Sequence, residues 1–129
     1  MKKIRKNFDD IYPAGPNYIR GVKAGDTLYI SGTTANGSDA KGKSSMDQLR
    51  VILDRITRIV ISEGGKSSDI VKLTTYVTNR QDWWPVNSDQ LGIYTEFFGD
   101  DYPTNAIIEV NRLVEDGLDV EIEAVAVFD

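Results

Sequence analysis

The chain has 129 residues, 40% of them hydrophobic and 27% charged, with a formal net charge of −5. That is the size and balance of one soluble domain able to bury roughly two-thirds of its unfolded surface, and it excludes disordered and fibrous classes. The absence of cysteine and histidine excludes disulfides, thiolate nucleophiles, imidazole bases and the usual zinc ligand sets, and the acidic balance argues against a broad nucleic-acid surface.

In chain order, the basic run Lys2–Lys6 reads as a solvated N-terminal edge rather than a nucleic-acid patch. No apolar h-region follows it, and no run of about 18 apolar residues occurs anywhere, so no membrane association is expected and a cytoplasmic protein is inferred. "YPAGPNY", Tyr12–Tyr18, is a turn-rich loop in which Pro13 and Pro16 fix φ. "DTLYISG", Asp26–Gly32, alternates Leu28 and Ile30 against Thr27, Tyr29 and Ser31, the pattern of a strand.

From Ser44 to Gly65 the apolar residues Met46, Leu49, Leu53, Ile56 and Val60 recur at three and four, widened by Ile52 and Ile59. This predicts an amphipathic helix capped by Ser44 or Ser45 and closed by Gly64-Gly65. Its other face carries Asp47, Arg50, Asp54, Arg55 and Arg58 and reads as solvated and internally paired. "DIVKLTTYVTN", Asp69–Asn79, is β-branched and alternating, a strand. Trp83-Trp84-Pro85 is expected to pack in the core rather than form a stacking platform. Ser88–Gly99 predicts a second helix with Leu91, Tyr94 and Phe98 on its buried face.

Two strands finish the chain. The last places Leu118, Val120, Ile122, Ala124, Ala126 and Phe128 on one face, against Asp119, Glu121, Glu123, Val125 and Val127. A mixed sheet with both helices on one face is the economical arrangement, and it leaves Val125, Val127 and Ile107 pointing the other way, where a subunit interface is the natural cover. Glu121 and Glu123 stand on that second face among valines. Half-buried carboxylates there have raised pKa values and can hold a water or donate a proton near neutral pH; an ion pair with Arg112 or a lysine across the sheet is the alternative.

Taken together, "YISGTT" after the Gly-Pro-Asn-Tyr turn, "GGKSSDIVKLTTYVTN", "YTEFFGDDYPTNAIIEVNRL" and "VEIEAVAV" resemble the RidA/YjgF family over nearly the whole chain. The resemblance implies a single α+β domain over residues 1–129 with the chorismate-mutase-like fold, a mixed β-sheet with two helices packed on one face, assembled into a homotrimeric barrel with clefts at the subunit boundaries. It also implies an enamine/imine deaminase, a hydrolase acting on C=N bonds that yields a 2-oxo acid and ammonia without metal or organic cofactor. The alternative is a non-catalytic small-molecule-binding or regulatory trimer. RNA cleavage, ascribed to some members, fits poorly with an acidic chain lacking histidine.

Position by position, Glu121 resembles the glutamate that holds the attacking water, Ser31 and Gly32 the Ser-Gly pair of the cleft floor, and Tyr18 the cleft tyrosine, here displaced by one extra residue. The departure is Asn105, which stands where the imine-hydrolysing subfamily has an arginine for the substrate carboxylate. An amide brings no charge, which implies altered specificity, with enamines of the aminomuconate type among the candidates. Arg20 and Arg112 are the cations that could replace the missing charge, although Arg112 matches a structural arginine of the family and Arg20 reads as facing solvent.

Overall fold

A computed structural model describes all 129 residues. The strands are β1 (Lys3–Lys6), β2 (Gly21–Ala24), β3 (Thr27–Thr33), β4 (Ile70–Val77), β5 (Thr104–Glu109) and β6 (Val120–Val127); the helices are α1 (Ser45–Ser62) and α2 (Ser88–Phe98). They form one six-stranded sheet in the order β1-β2-β3-β6-β4-β5. Only β4 and β5 run parallel, and α2 is the crossover that joins them.

Helix α1 forms for the reasons its sequence gives. Ser44 caps it, accepting from the Asp47 amide at 3.2 Å, and its three–four stripe is fully buried at Leu49, Ile52, Leu53, Ile56, Ile59 and Val60. The stripe lies over β3 and β6, where Leu28, Ile30, Val120, Ile122, Ala124 and Ala126 face it. The small side chains of Ala124 and Ala126 let the helix approach the centre of the sheet closely. Ion pairs of Arg58 with Asp54 and Asp10, and of Arg50 with Glu96, confirm a solvated, paired outer face at these positions.

Two expectations about faces are corrected. On α2 the buried residues are Gln90, Ile93 and Phe98, with Tyr94 partly buried, whereas Leu91 is exposed. Ile107 does not share a face with Val125 and Val127. It pairs with Thr75, which pairs with Ile122, and these belong to the helix-covered side of the sheet. Trp83 is buried in the core as expected, while its neighbour Trp84 is exposed. No helix is long and apolar enough to cross a membrane.

Gln48 ties α1 to the loop that enters β6. Gln48 is itself fully buried; its side-chain amide donates to the carbonyls of Lys43 and Gly117 at 3.0 and 3.1 Å, and its carbonyl accepts from the Asp119 amide at 2.9 Å. Removing it leaves buried backbone groups without partners. Gln48→Ala is therefore expected to destabilise the fold by about 2–4 kcal/mol in urea unfolding, the range for several unsatisfied buried groups; a loss below about 1 kcal/mol would show that the loop is not held this way.

Candidate functional site

Pairing of β3 with β6 slips by one residue between Ile30 and Thr33, so a β-bulge falls at Ser31-Gly32, across from the start of β6. Bulges re-aim side chains locally. Here the bulge brings Gly32 under Glu121, so close that a Cβ on Gly32 would run into the Glu121 carboxylate. Any larger residue at this point would displace that carboxylate. Ser31 beside it pins the preceding segment, its hydroxyl donating to the Ile19 carbonyl at 2.5 Å and its amide to the Arg20 carbonyl at 3.0 Å.

That pinning places Tyr18 and Arg20 over the bulge. A polar cavity of about 80 Å³ results, lined among others by Tyr18, Arg20, Gly32, Thr33, Arg55 and Glu121. Ser31 does not line it. Burial pushes the Glu121 carboxyl above its ordinary value, the nearby Glu123 adds to the rise, and the Arg20 guanidinium opposes it. Glu123 itself is exposed and accepts from the Tyr76 hydroxyl at 3.1 Å. No ion pair holds Glu121, so the alternative of a partner in Arg112 or a lysine is not what the structure contains.

Arg20 corrects the sequence reading. It is buried, 4% exposed, rather than solvent-facing, and its guanidinium lies 5.5 Å from the centroid of the Tyr18 ring. Arg112 is exposed and lies outside this cavity. Arg55, read from sequence as part of the solvated face of α1, instead turns into the cavity and donates to the carbonyls of Thr34 and Asn36, both at 2.8 Å. The signal was in the sequence: Arg55 is three residues after Ile52 and four before Ile59, at the margin of the buried stripe.

Asn105 lies elsewhere. In the register of the sheet it pairs with Leu73, which pairs with Ala124, on the helix-covered side, whereas Glu121 pairs with Tyr76 on the open side. Asn105 lines a second, mostly apolar cavity of about 310 Å³ with Gln90, Leu91, Tyr94, Tyr102 and Ile107. Its side-chain carbonyl accepts from the Thr75 hydroxyl at 2.9 Å, and its amide approaches the Tyr94 hydroxyl at 3.5 Å. Burial pushes the Tyr94 phenol up to about 12, so it stays neutral. Within one chain, Asn105 and Glu121 are not brought together. No cluster of three or more carboxylates is placed to hold a metal ion.

This architecture and sequence have known counterparts. The family profile described as Endoribonuclease L-PSP matches residues 9–128. A RutC family protein of Pyrococcus horikoshii is 36% identical over 130 residues, covering 98% of both chains. The 2-iminobutanoate/2-iminopropanoate deaminase of Escherichia coli is 35% identical over 116 residues, covering 88% of both. The crystal structure of RidA from an Antarctic Psychrobacter superposes with a TM-score of 0.79 at 24% identity, covering 95% of this chain and 97% of that one, a likeness of fold. With a match that spans nearly its whole length, this chain belongs to the Endoribonuclease L-PSP family, the RidA/YjgF proteins.

Proposed function

We propose that the protein is a hydrolase that releases ammonia from a small reactive enamine or imine, with a specificity changed from that of relatives carrying an arginine at position 105. The observation that carries the proposal is Glu121: a half-buried carboxyl, without an ion-pair partner, seated on a glycine in a small polar cavity. An enamine first gains a proton at carbon to become an iminium. As a carboxylate, Glu121 then takes a proton from water as the oxygen attacks the C=N carbon and returns that proton to nitrogen; as ammonia leaves, the carboxylate takes the remaining hydroxyl proton and the carbonyl forms. The chemistry is proton transfer and positioning alone, which suits a chain without cysteine or histidine.

The complete cleft, in this reading, forms between copies of the chain in a homotrimer. β5 is a sheet edge whose six residues are all exposed, and the face opposite the helices leaves Tyr29 and Val127 exposed. Joining the Asn105 cavity of one copy to the Glu121 cavity of the next would unite the two half-sites. Asn105, already engaged with Thr75 and Tyr94, then offers a neutral wall to the substrate. Those same internal bonds favour the second reading, a trimer that binds a small molecule without turning it over.

Ammonia release from freshly generated 2-aminoacrylate and from aminomuconate-type enamines distinguishes the two. Turnover is expected, and Glu121→Gln is expected to lower kcat/KM by about a hundredfold to ten-thousandfold, the usual contribution of a general base. Gly32→Ala, which displaces that carboxylate without removing it, is expected to cost about a hundredfold. Binding without turnover in the wild type would establish the second reading instead.

The raised carboxyl of Glu121 also has a thermodynamic signature. The native state binds this proton more tightly than the unfolded chain does, so the residue's contribution to stability falls as pH rises from the ordinary carboxylate value of 4.5 towards the raised one. Glu121→Gln removes that fall. Its stability relative to wild type is therefore expected to increase between pH 4 and pH 7 in urea unfolding at one protein concentration; a difference independent of pH would mean that burial does not perturb this group.

A further inference from the structure

Two guanidinium groups meet in the Glu121 cavity, and neither has a carboxylate within ion-pair distance. Arg20 is 4% exposed, its Nε is buried without any hydrogen-bond partner, and its one side-chain bond, from Nη1 to the Thr33 hydroxyl, is long at 3.5 Å. Arg55 donates only to carbonyl groups, those of Thr34 and Asn36, and its neighbour on the helix, Asp54, is engaged by Arg58 at 2.8 Å. The one carboxyl in the lining is Glu121, and no guanidinium nitrogen lies within ion-pair distance of it.

A buried guanidinium with an idle N–H is costly unless something pairs with it, and two side by side repel each other as well. Burial, and next the charge of Arg20, hold Arg55 below the ordinary range of an arginine. An anion placed between them relieves both terms. Planar guanidinium forks match the two oxygens of a carboxylate. The cavity, about 80 Å³, has room for a small acid and too little for a nucleotide.

We propose that Arg20 and Arg55 form a carboxylate-binding site, so that the acid group of the substrate is held by the same chain that supplies Glu121 rather than at position 105. The ligand class is then a small carboxylic acid whose acid group is held away from position 105. Recognition of its carboxylate from this side accounts for an uncharged Asn105 in the other cavity. This assignment rests on reading the Glu121 cavity as the reacting site, yet its test is a binding measurement that needs no turnover. Loss of catalysis with the anion preference intact would remove the hydrolase reading and leave this site standing.

The test is calorimetric titration of the intact protein with 2-oxobutanoate, with its neutral amide and with inorganic phosphate, at low ionic strength. Wild type is expected to bind the carboxylate at least about tenfold more tightly than the amide, the least that a charge-assisted bond contributes. Arg55→Gln and Arg20→Gln are each expected to abolish most of that preference, and Arg55→Lys to retain part of it. The proposal is overturned by equal affinity for acid and amide in wild type. It is also overturned if Arg55→Gln weakens both ligands alike, which would make Arg55 only a strut for the Thr34–Asn36 turn, or if phosphate binds as well as the oxo acid, which would make the pair a general anion hole.

Discussion

Everything in this molecule depends on α1 lying across the middle of the sheet. The helix buries an unbroken apolar stripe against β3 and β6, the two strands that meet at the sheet's centre. With α2 on the same side, the helices cover the middle of one face, leave β5 exposed at its margin, and leave the other face open. Burial of a few large side chains, at roughly 1.5–3 kcal/mol each, is ample to fix that arrangement. Once it is fixed, β6 must present its odd-numbered residues from Glu121 to Val127 away from the helices, and a carboxylate is delivered to the face they leave open.

The same helix also reaches the site directly. Its N-terminal turn, through Gln48, holds the loop from which β6 starts, and so sets where Glu121 begins. About two turns further along, Arg55 leaves the edge of the apolar stripe and holds the carbonyls of Thr34 and Asn36. Those carbonyls belong to the chain just after the Ser31-Gly32 bulge. The strand and the turn that line the cavity are thereby both referred to one rigid helix, which holds several groups in register beneath the Tyr12–Tyr18 loop.

Much of this was legible in the sequence because it follows from period and capping alone: the bounds and buried stripe of α1, the alternation in β3 and β6, and the placement of Glu121 on the uncovered face. What escaped did so for definite reasons. The face of Ile107 is set by its parallel pairing with Thr75, a long-range partner that a strand exposed along its whole length does not announce. Leu91 and Gln90 exchanged roles on α2 because an eleven-residue helix samples too few turns to fix the centre of its apolar arc. Arginine at a stripe margin reads as solvated by composition, and only the fold shows that Arg20 and Arg55 turn inward to face each other's charge. Sequence resemblance placed Asn105 and Glu121 in clefts at subunit boundaries, and within one chain the two lie on opposite faces of the sheet.

The two margins of the sheet are not alike. On one side β1 carries Lys3, Arg5 and Lys6, a row of cations that repels another strand. On the other, β5 has no lysine, no proline and no internal charge before Glu109, and it offers Ile107 and Ile108 beside unpaired backbone groups. A newly made chain therefore has one guarded border and one adhesive one. Mispairing with the strand of another chain would begin at the second border and not at the first.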